Sequence, residues 1–175
     1  MKVLLVNGSP HKEGCTYTAL TEVEKELNAA GVETEMIWLG VKPISGCLGC
    51  AQCIKRGPNG EPASLRCFMN DPVNEFLDKA EKADGFVFGS PVHYAALSGA
   101  LTSFMDRAFY GKGSIFRYKP AAGIVSARRG GTTAAFDQIN KYFTISSMPV
   151  VSSKYWNMVH GNTPEQVLQD EEGMQ

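Results

Sequence analysis

A chain of 175 residues with 43% hydrophobic side chains is long enough to bury one full core. Its 17 basic and 18 acidic residues leave a formal charge of −1 with the signs interspersed, so neither nucleic acid nor an anionic membrane surface is an expected partner. Five cysteines, three of them crowded together, fit a disulfide framework poorly, and the absence of a signal-like or membrane-length apolar segment makes the cytoplasm the expected compartment.

Lys2 to Asn7 reads as a buried first strand, followed by a loop of small residues, Gly8, Ser9, Pro10, His11 and Gly14, with Thr16 opening a helical pattern. Strand, small-residue loop and helix start aim backbone N–H groups and hydroxyls at one spot, where the positive end of the helix dipole favours an anion. Neither G-x-x-x-x-G-K-[ST] nor G-x-G-x-x-G can be laid over Gly8 to Thr16. A hydroxyl-rich loop without a Walker lysine suits the phosphate of flavin mononucleotide better than ATP or NAD. The competing reading is a plain structural turn.

The helix from Thr16 to Ala30 carries Leu20, Val23, Leu27 and Ala30 on one face and stops at Gly31. Glu33 to Leu39 alternates as a second, less buried strand. Gly40 to Cys67 is too long and too rich in Gly, Pro and Cys to be a simple connection. Asn70 or Asp71 then caps a helix with Pro72 in its first turn and Val73, Phe76, Leu77 and Ala80 as its stripe. Gly85 to Gly89 is a third strand, Ser90 to Leu97 a loop, and Ser98 to Tyr110 a helix presenting Leu101, Phe104, Met105 and Ala108. Ala121 to Ser126 is a fourth strand, Arg128 to Gly131 a basic glycine-rich loop, and Thr132 to Phe143 a helix with Ala135, Phe136, Ile139 and Phe143 in register. Val150 to Trp156 completes five strands. Thr163-Pro164-Glu165 starts a closing helix that stops short. Strands alternating with helices imply an α/β, doubly wound parallel sheet in one domain, residues 1–175, with a Cys-rich insert at about 40–70. Ligands of such sheets sit beyond the carboxyl ends of the strands, so the loops after strands one, three and four should converge there.

In that order and at strand ends, NGSPHKEGCT, FGSPVHYAALSGALTSFMDR and SARRGGT resemble the three flavin-binding loops of the flavodoxin-like NAD(P)H-dependent FMN reductases, a family that includes the iron–sulfur flavoproteins. The resemblance covers essentially the whole chain and implies a flavodoxin-like strand order 2-1-3-4-5. It implies that Ser9, His11, Cys15 and Thr16 hold the FMN phosphate and that Pro91, Val92, His93 and Tyr94 wrap the isoalloxazine. Ser126, Arg128, Gly130 and Gly131 would close over its polar edge. A flavin does its own redox chemistry once positioned, so no protein nucleophile is needed. Backbone N–H groups at Gly130 and Gly131, or the Arg128 side chain, suit negative charge on the reduced ring, although Arg128 and Arg129 could equally be a solvated surface pair. Tyr94 offers a flat apolar partner for the ring, and His93 is a candidate proton donor.

Cys47, Cys50 and Cys53 stand at C-x-x-C-x-x-C, the opening of a ferredoxin-type run, with Cys67 as the fourth candidate ligand. Ile54 to Arg66 separate Cys53 from Cys67, a longer gap than the compact cluster motif. Three readings stay open: an iron–sulfur cluster, a zinc held by four thiolates, or free thiols. Cys50 and Arg56 also stand at C-x5-R, but Gly57 follows where a phosphatase loop needs a hydroxyl, and no strand leads directly into a helix there. Cys15, near a helix start, is expected to have a lowered pKa.

Two functions fit. One is an oxidoreductase passing hydride from NAD(P)H through FMN to a small acceptor such as a quinone, a free flavin or a nitroaromatic. The other is an FMN carrier, with or without a cluster, between protein partners. Electron carriers of this fold are strongly acidic for docking, and this chain is nearly neutral, which favours the enzyme. Leu101, Phe104, Phe109 and Tyr110 lie on more than one side of their helix, which suggests a homodimer or higher homo-oligomer.

Overall fold

A computed structural model describes residues 1–61, 63–64 and 66–175. Five parallel strands form one sheet in the order β2-β1-β3-β4-β5. They are β1 (Lys2–Asn7), β2 (Glu33–Trp38), β3 (Gly85–Pro91), β4 (Ala121–Ala127) and β5 (Met158–His160). The connecting helices are α1 (Cys15–Ala29), α2 (Pro72–Lys82), α3 (Gly99–Lys112), α4 (Thr132–Ile145) and the single turn α5 (Pro164–Val167). Among the described residues, no helix is long and apolar enough to cross a membrane.

β1, β3 and β4 are continuous apolar runs because helices cover both faces of a parallel sheet. On one face, Leu4, Val6, Phe86, Phe88 and Val125 pack against α2, α3 and α4. The other face is thinner, with Val3, Leu5, Val87, Ile124 and Val159 against α1 and Val167 of α5. The first face holds an aromatic cluster around Phe76, whose ring lies 4.9 Å from Phe104 edge to face and also meets Phe86, Phe88 and Phe116.

α2 forms as its sequence dictates. The Asp71 carboxylate caps the helix by accepting the Val73 N–H, Pro72 occupies the first turn, and Val73, Phe76, Leu77 and Ala80 are buried. The fifth strand is displaced from its expected place at Val150 to Trp156. Val150 makes only an isolated parallel bridge to Ala121. Asn157 then folds residues 151–157 into a loop, accepting the Ser153 N–H and donating to the Val151 carbonyl. Tyr155 and Trp156, whose strand propensity suggested pairing, are exposed. Sheet pairing resumes at Met158.

The surface expected to hold a second copy is also largely spent. Leu101, Phe104 and Phe109 are buried in the chain's own core, with Phe109 stacked on Phe116 at 4.4 Å, and only Tyr110 is exposed.

Replacing Phe76 by Ala removes the ring at the centre of the aromatic cluster and leaves a void under α2. It should lower the unfolding free energy by about 3 to 5 kcal/mol. Urea denaturation followed by circular dichroism measures this, and a loss under about 1 kcal/mol would place the core elsewhere.

Candidate functional site

Three central strands carry a buried polar residue at or next to their last position: Asn7 on β1, Ser90 on β3 and Ser126 on β4. Each is spent on fixing a loop. The Asn7 side chain, fully buried, accepts the Ser9 N–H at 3.0 Å and donates to the Lys12 carbonyl at 3.1 Å, pinning both ends of the turn after β1. The Ser90 hydroxyl accepts the Ser98 N–H, and the Ser98 hydroxyl donates to the Gly8 carbonyl at 2.7 Å. The Ser126 and Thr16 hydroxyls meet at 2.7 Å, both buried. The loops after β1, β3 and β4 are therefore joined to one another, as the strand order requires.

The first loop leaves α1 open. Gly14 at its N-cap supplies no capping side chain, and no acidic residue lies in its first turn. α4 begins in the same way at Gly131. By contrast, Asp71, Ser98 and Thr163 cap α2, α3 and α5. The two uncapped helices are those that begin in the first and third of the joined loops, and their first N–H groups lack the usual side-chain acceptors. Ser9 is buried with its oxygen accepting the His11 N–H, which leaves its own hydroxyl proton for another partner. Between Thr16 and Ser126 only one of two hydroxyl protons is used. His11 is exposed at the loop tip.

Cys15 behaves differently from expectation. Burial pushes its thiol above the ordinary value, outweighing the helix backbone, and nearby Glu165 adds to the shift. Its sulfur turns toward the Gly161 carbonyl beyond β5, at 3.7 Å.

The loop after β3 is a tight hairpin. His93 and Ala96 exchange both backbone hydrogen bonds, which forces Tyr94 (φ 51°) and Ala95 (φ 60°) into the left-handed region. Such backbones cost about 1 to 3 kcal/mol each in residues other than glycine, and they concentrate at binding sites. The result is a Tyr94 ring standing wholly in solvent, beside exposed His93. The Val92 N–H donates to the Ser126 carbonyl. Gly131 (φ 95°) packs so closely on this hairpin that a Cβ there would lie 3.0 Å from Ala95 Cα. Arg128, Arg129 and Gly130 are exposed beside it, and neither arginine forms an ion pair among the described residues.

Sequence patterns gave no sign of Trp38, at the end of β2, whose indole N–H donates to the Ser9 carbonyl at 2.9 Å and ties the second strand to the first loop. Asn7 and Ser98 were equally silent, since each acts on backbone far from or invisible to its local pattern.

A second cluster lies against the C-terminal part of α3. Cys47, Cys50, Cys53 and Cys67, all free thiols, line one small cavity of about 20 Å³ together with Arg107 and Tyr110. Cys47 and Cys50 are exposed, so the cluster is open to solvent on one side. Cys53 sits against α3, its sulfur 3.6 Å from where a Gly111 Cβ would stand. Cys67 is brought back across the long gap by Asn74 of α2, which accepts its N–H at 3.0 Å and donates to its carbonyl at 2.8 Å. Burial pushes the Cys53 thiol up, and the charges of Cys67, Cys47 and Cys50 push it further. Among the described residues, no three such donors are drawn together closely enough to hold an ion as they stand.

Arg107 is the buried cation of this cluster. Its guanidinium makes a bidentate pair with the Asp71 carboxylate and donates to the Ser45 carbonyl, and Cys67 lines the same cavity. Burial alone would lower its pKa, but the bonds to Asp71 and Cys67 outweigh that and hold it above the ordinary arginine value.

Residues 1–163 match the family model described as NADPH-dependent FMN reductase. An iron–sulfur flavoprotein of Methanocaldococcus jannaschii is 34% identical over 166 residues, covering 93% of this chain and 82% of that protein. Among solved structures, an NAD(P)H:quinone oxidoreductase from Methanothermobacter marburgensis superposes with a TM-score of 0.68 at 17% identity, covering 99% of this chain and 92% of that one. A flavodoxin from the domain Archaea superposes at 0.62 with 16% identity, over 99% and 94% of the two chains. At those identities the structural likeness shows the flavodoxin-like fold.

Replacing Asn7 by Ala removes both pins of the first loop and leaves the Ser9 N–H without its acceptor. Unfolding free energy should fall by about 1 to 3 kcal/mol, with faster amide exchange at Ser9. Stability within about 0.5 kcal/mol of the wild type would show that the loop does not depend on Asn7.

Proposed function

Since the chain belongs to the NADPH-dependent FMN reductase family, we propose that it passes hydride from a reduced nicotinamide through bound FMN to a small acceptor. The observation that carries the placement of FMN is the uncapped start of α1, a 15-residue helix with neither a capping side chain nor a carboxylate in its first turn. A phosphate supplies the missing acceptor for those N–H groups and gains from the helix dipole. The spare protons on Ser9 and on the Thr16–Ser126 pair add charge-assisted hydrogen bonds to the same anion. When bound, FMN accepts hydride and releases the electrons onward. The Tyr94 ring, exposed and fixed by a strained hairpin, offers a face against which the flavin stacks. Gly130, whose added Cβ would meet open space, and Arg128 suit the polar edge, where negative charge accumulates on reduction. His93 holds the position for proton delivery.

The same-family iron–sulfur flavoprotein and the convergence of four thiols on one cavity support an iron–sulfur cluster at Cys47, Cys50, Cys53 and Cys67. Sulfur donors in a C-x-x-C-x-x-C run fit such a cluster chemically, and Asn74 solves the problem of the long gap to Cys67. A cluster would let two electrons from hydride leave one at a time. The chain's near-neutral charge supports small acceptors over electrostatic docking of a carrier.

Gly14→Asp tests the phosphate site. Its Cβ would come 3.0 Å from that of His11, an exposed side chain with room to yield. The new carboxylate would cap α1 and repel a phosphate at the same point. The apoprotein should be at least as stable as wild type, because an Asp cap loses nothing relative to Gly, while FMN affinity falls by at least about tenfold, or roughly 1.4 kcal/mol. Unchanged affinity in titration would remove the phosphate from α1. For the reaction itself, anaerobic stopped-flow mixing of FMN-loaded protein with NADH or NADPH should bleach the flavin within seconds without a partner protein. Bleaching that needs minutes with both nucleotides would favour the carrier.

A further inference from the structure

Arg107 is a charge placed where an ordinary core would not tolerate it. Its side chain is 1% exposed, on a helix whose neighbouring residues Phe104, Met105 and Ala108 are core. Its terminal nitrogens donate to the Asp71 carboxylate and the Ser45 carbonyl, but its Nε–H is buried with no hydrogen-bond partner. An unsatisfied donor on a charged group is costly in a folded protein. The side chain lines the cavity bounded by Cys47, Cys50, Cys53 and Cys67, and Gly111, one helical turn further on, carries the packing of Cys53. The helix face from Arg107 to Gly111 is therefore the wall of the cysteine site.

Four thiolates around an iron–sulfur cluster carry net negative charge, and sulfur accepts hydrogen bonds that tune the reduction potential of such centres. A buried guanidinium with a spare N–H is the complementary group. Asp71 both holds it and partly neutralises it. We propose that Arg107 is the positioning and charge-compensating residue of the cysteine site: it lines the same cavity as Cys67 and the other three thiols, and its Nε–H serves the sulfur atoms of the bound centre. This rests on the cluster reading of the previous subsection. The site would thereby favour the reduced, more negative form of the cluster, setting its potential above that of the same cluster without the arginine.

Two variants push the local charge in opposite directions. Arg107→Gln removes the positive charge and leaves Asp71 unbalanced, so the cluster's midpoint potential should shift negative. Asp71→Asn keeps the α2 cap, because Asn caps as well as Asp, but frees the full charge of Arg107, so the potential should shift positive. The measurement is a dye-mediated redox titration of anaerobically reconstituted holoprotein, followed by electron paramagnetic resonance, with iron and sulfide counted per chain and FMN content checked. Wild-type protein should hold about four irons per chain. Opposite shifts support the assignment; a purely structural role would move both variants the same way or neither. Unchanged potentials, or shifts of one sign, in variants that still hold iron would overturn the role of Arg107 and leave the cluster standing. Absence of iron and sulfide from the reconstituted wild type would overturn the cluster reading itself and the inference with it. If Arg107→Gln fails to fold, Asp71→Asn decides alone: a positive shift supports, and an unchanged or negative one overturns.

Discussion

A parallel sheet ends all its strands on the same side, and in this chain the three central strands carry Asn7, Ser90 and Ser126 at or next to their last positions, buried side chains that need hydrogen-bond partners. They find them in the loops that follow. Asn7 pins the loop after β1, Ser90 holds Ser98, which returns to Gly8, and Ser126 meets Thr16. A buried polar group left alone would cost more than its bond contributes, so the three loops are tied together by necessity. The binding surface is then a consequence of satisfying the ends of the sheet. The hydroxyl protons left over after that internal pairing, together with two uncapped helices, are what the surface offers to a ligand.

The same economy of partners explains where strain and exposure are tolerated. Tyr94 and Ala95 hold left-handed backbones only because the His93–Ala96 hydrogen bonds and the close approach of Gly131 hold the hairpin from both sides. The fully exposed Tyr94 ring is the product of that arrangement. Toward the other end of α3, Arg107 plays a comparable part, linking Asp71 at the start of α2 and Ser45 in the insert beside the cavity that Cys67 lines. One helix thus bears on both candidate sites, with Ser98 at its start beside the first and Arg107 and Gly111 toward its end beside the second.

What the sequence made legible was local. Pro72 and an apolar stripe, with Asn70 or Asp71 as cap, located the start and buried face of α2, and the run from Lys2 to Thr16 identified strand, loop and helix start. The flavodoxin-like order and the family followed from three loop motifs in register. What it hid depended on distance or competition. The Thr16–Ser126 bond spans 110 residues, and no local pattern announces it. Val150 to Trp156 had the composition of a strand, but Asn157 captured its backbone and pairing moved to Met158. Phe109 looked like surface for a second copy because its stacking partner, Phe116, lies beyond the end of the helix. Cys15 was expected to be acidified by the helix, and burial against the far loop reversed the sign. Arg107 carried a faint signal, a charge beside the apolar stripe of α3, whose meaning came only with the cysteines folded against it.

The central claim is that FMN lies across the joined strand ends with its phosphate at the start of α1. Backbone amide chemical shifts of the apoprotein, recorded with FMN and separately with riboflavin, which lacks the phosphate, test it directly. The account predicts that amides from Ser9 to Tyr17 shift with FMN but not with riboflavin, while those of Val92 to Tyr94 and Arg128 to Gly131 shift with both. Equal shifts from Ser9 to Tyr17 with either ligand, or none there with FMN, would contradict it.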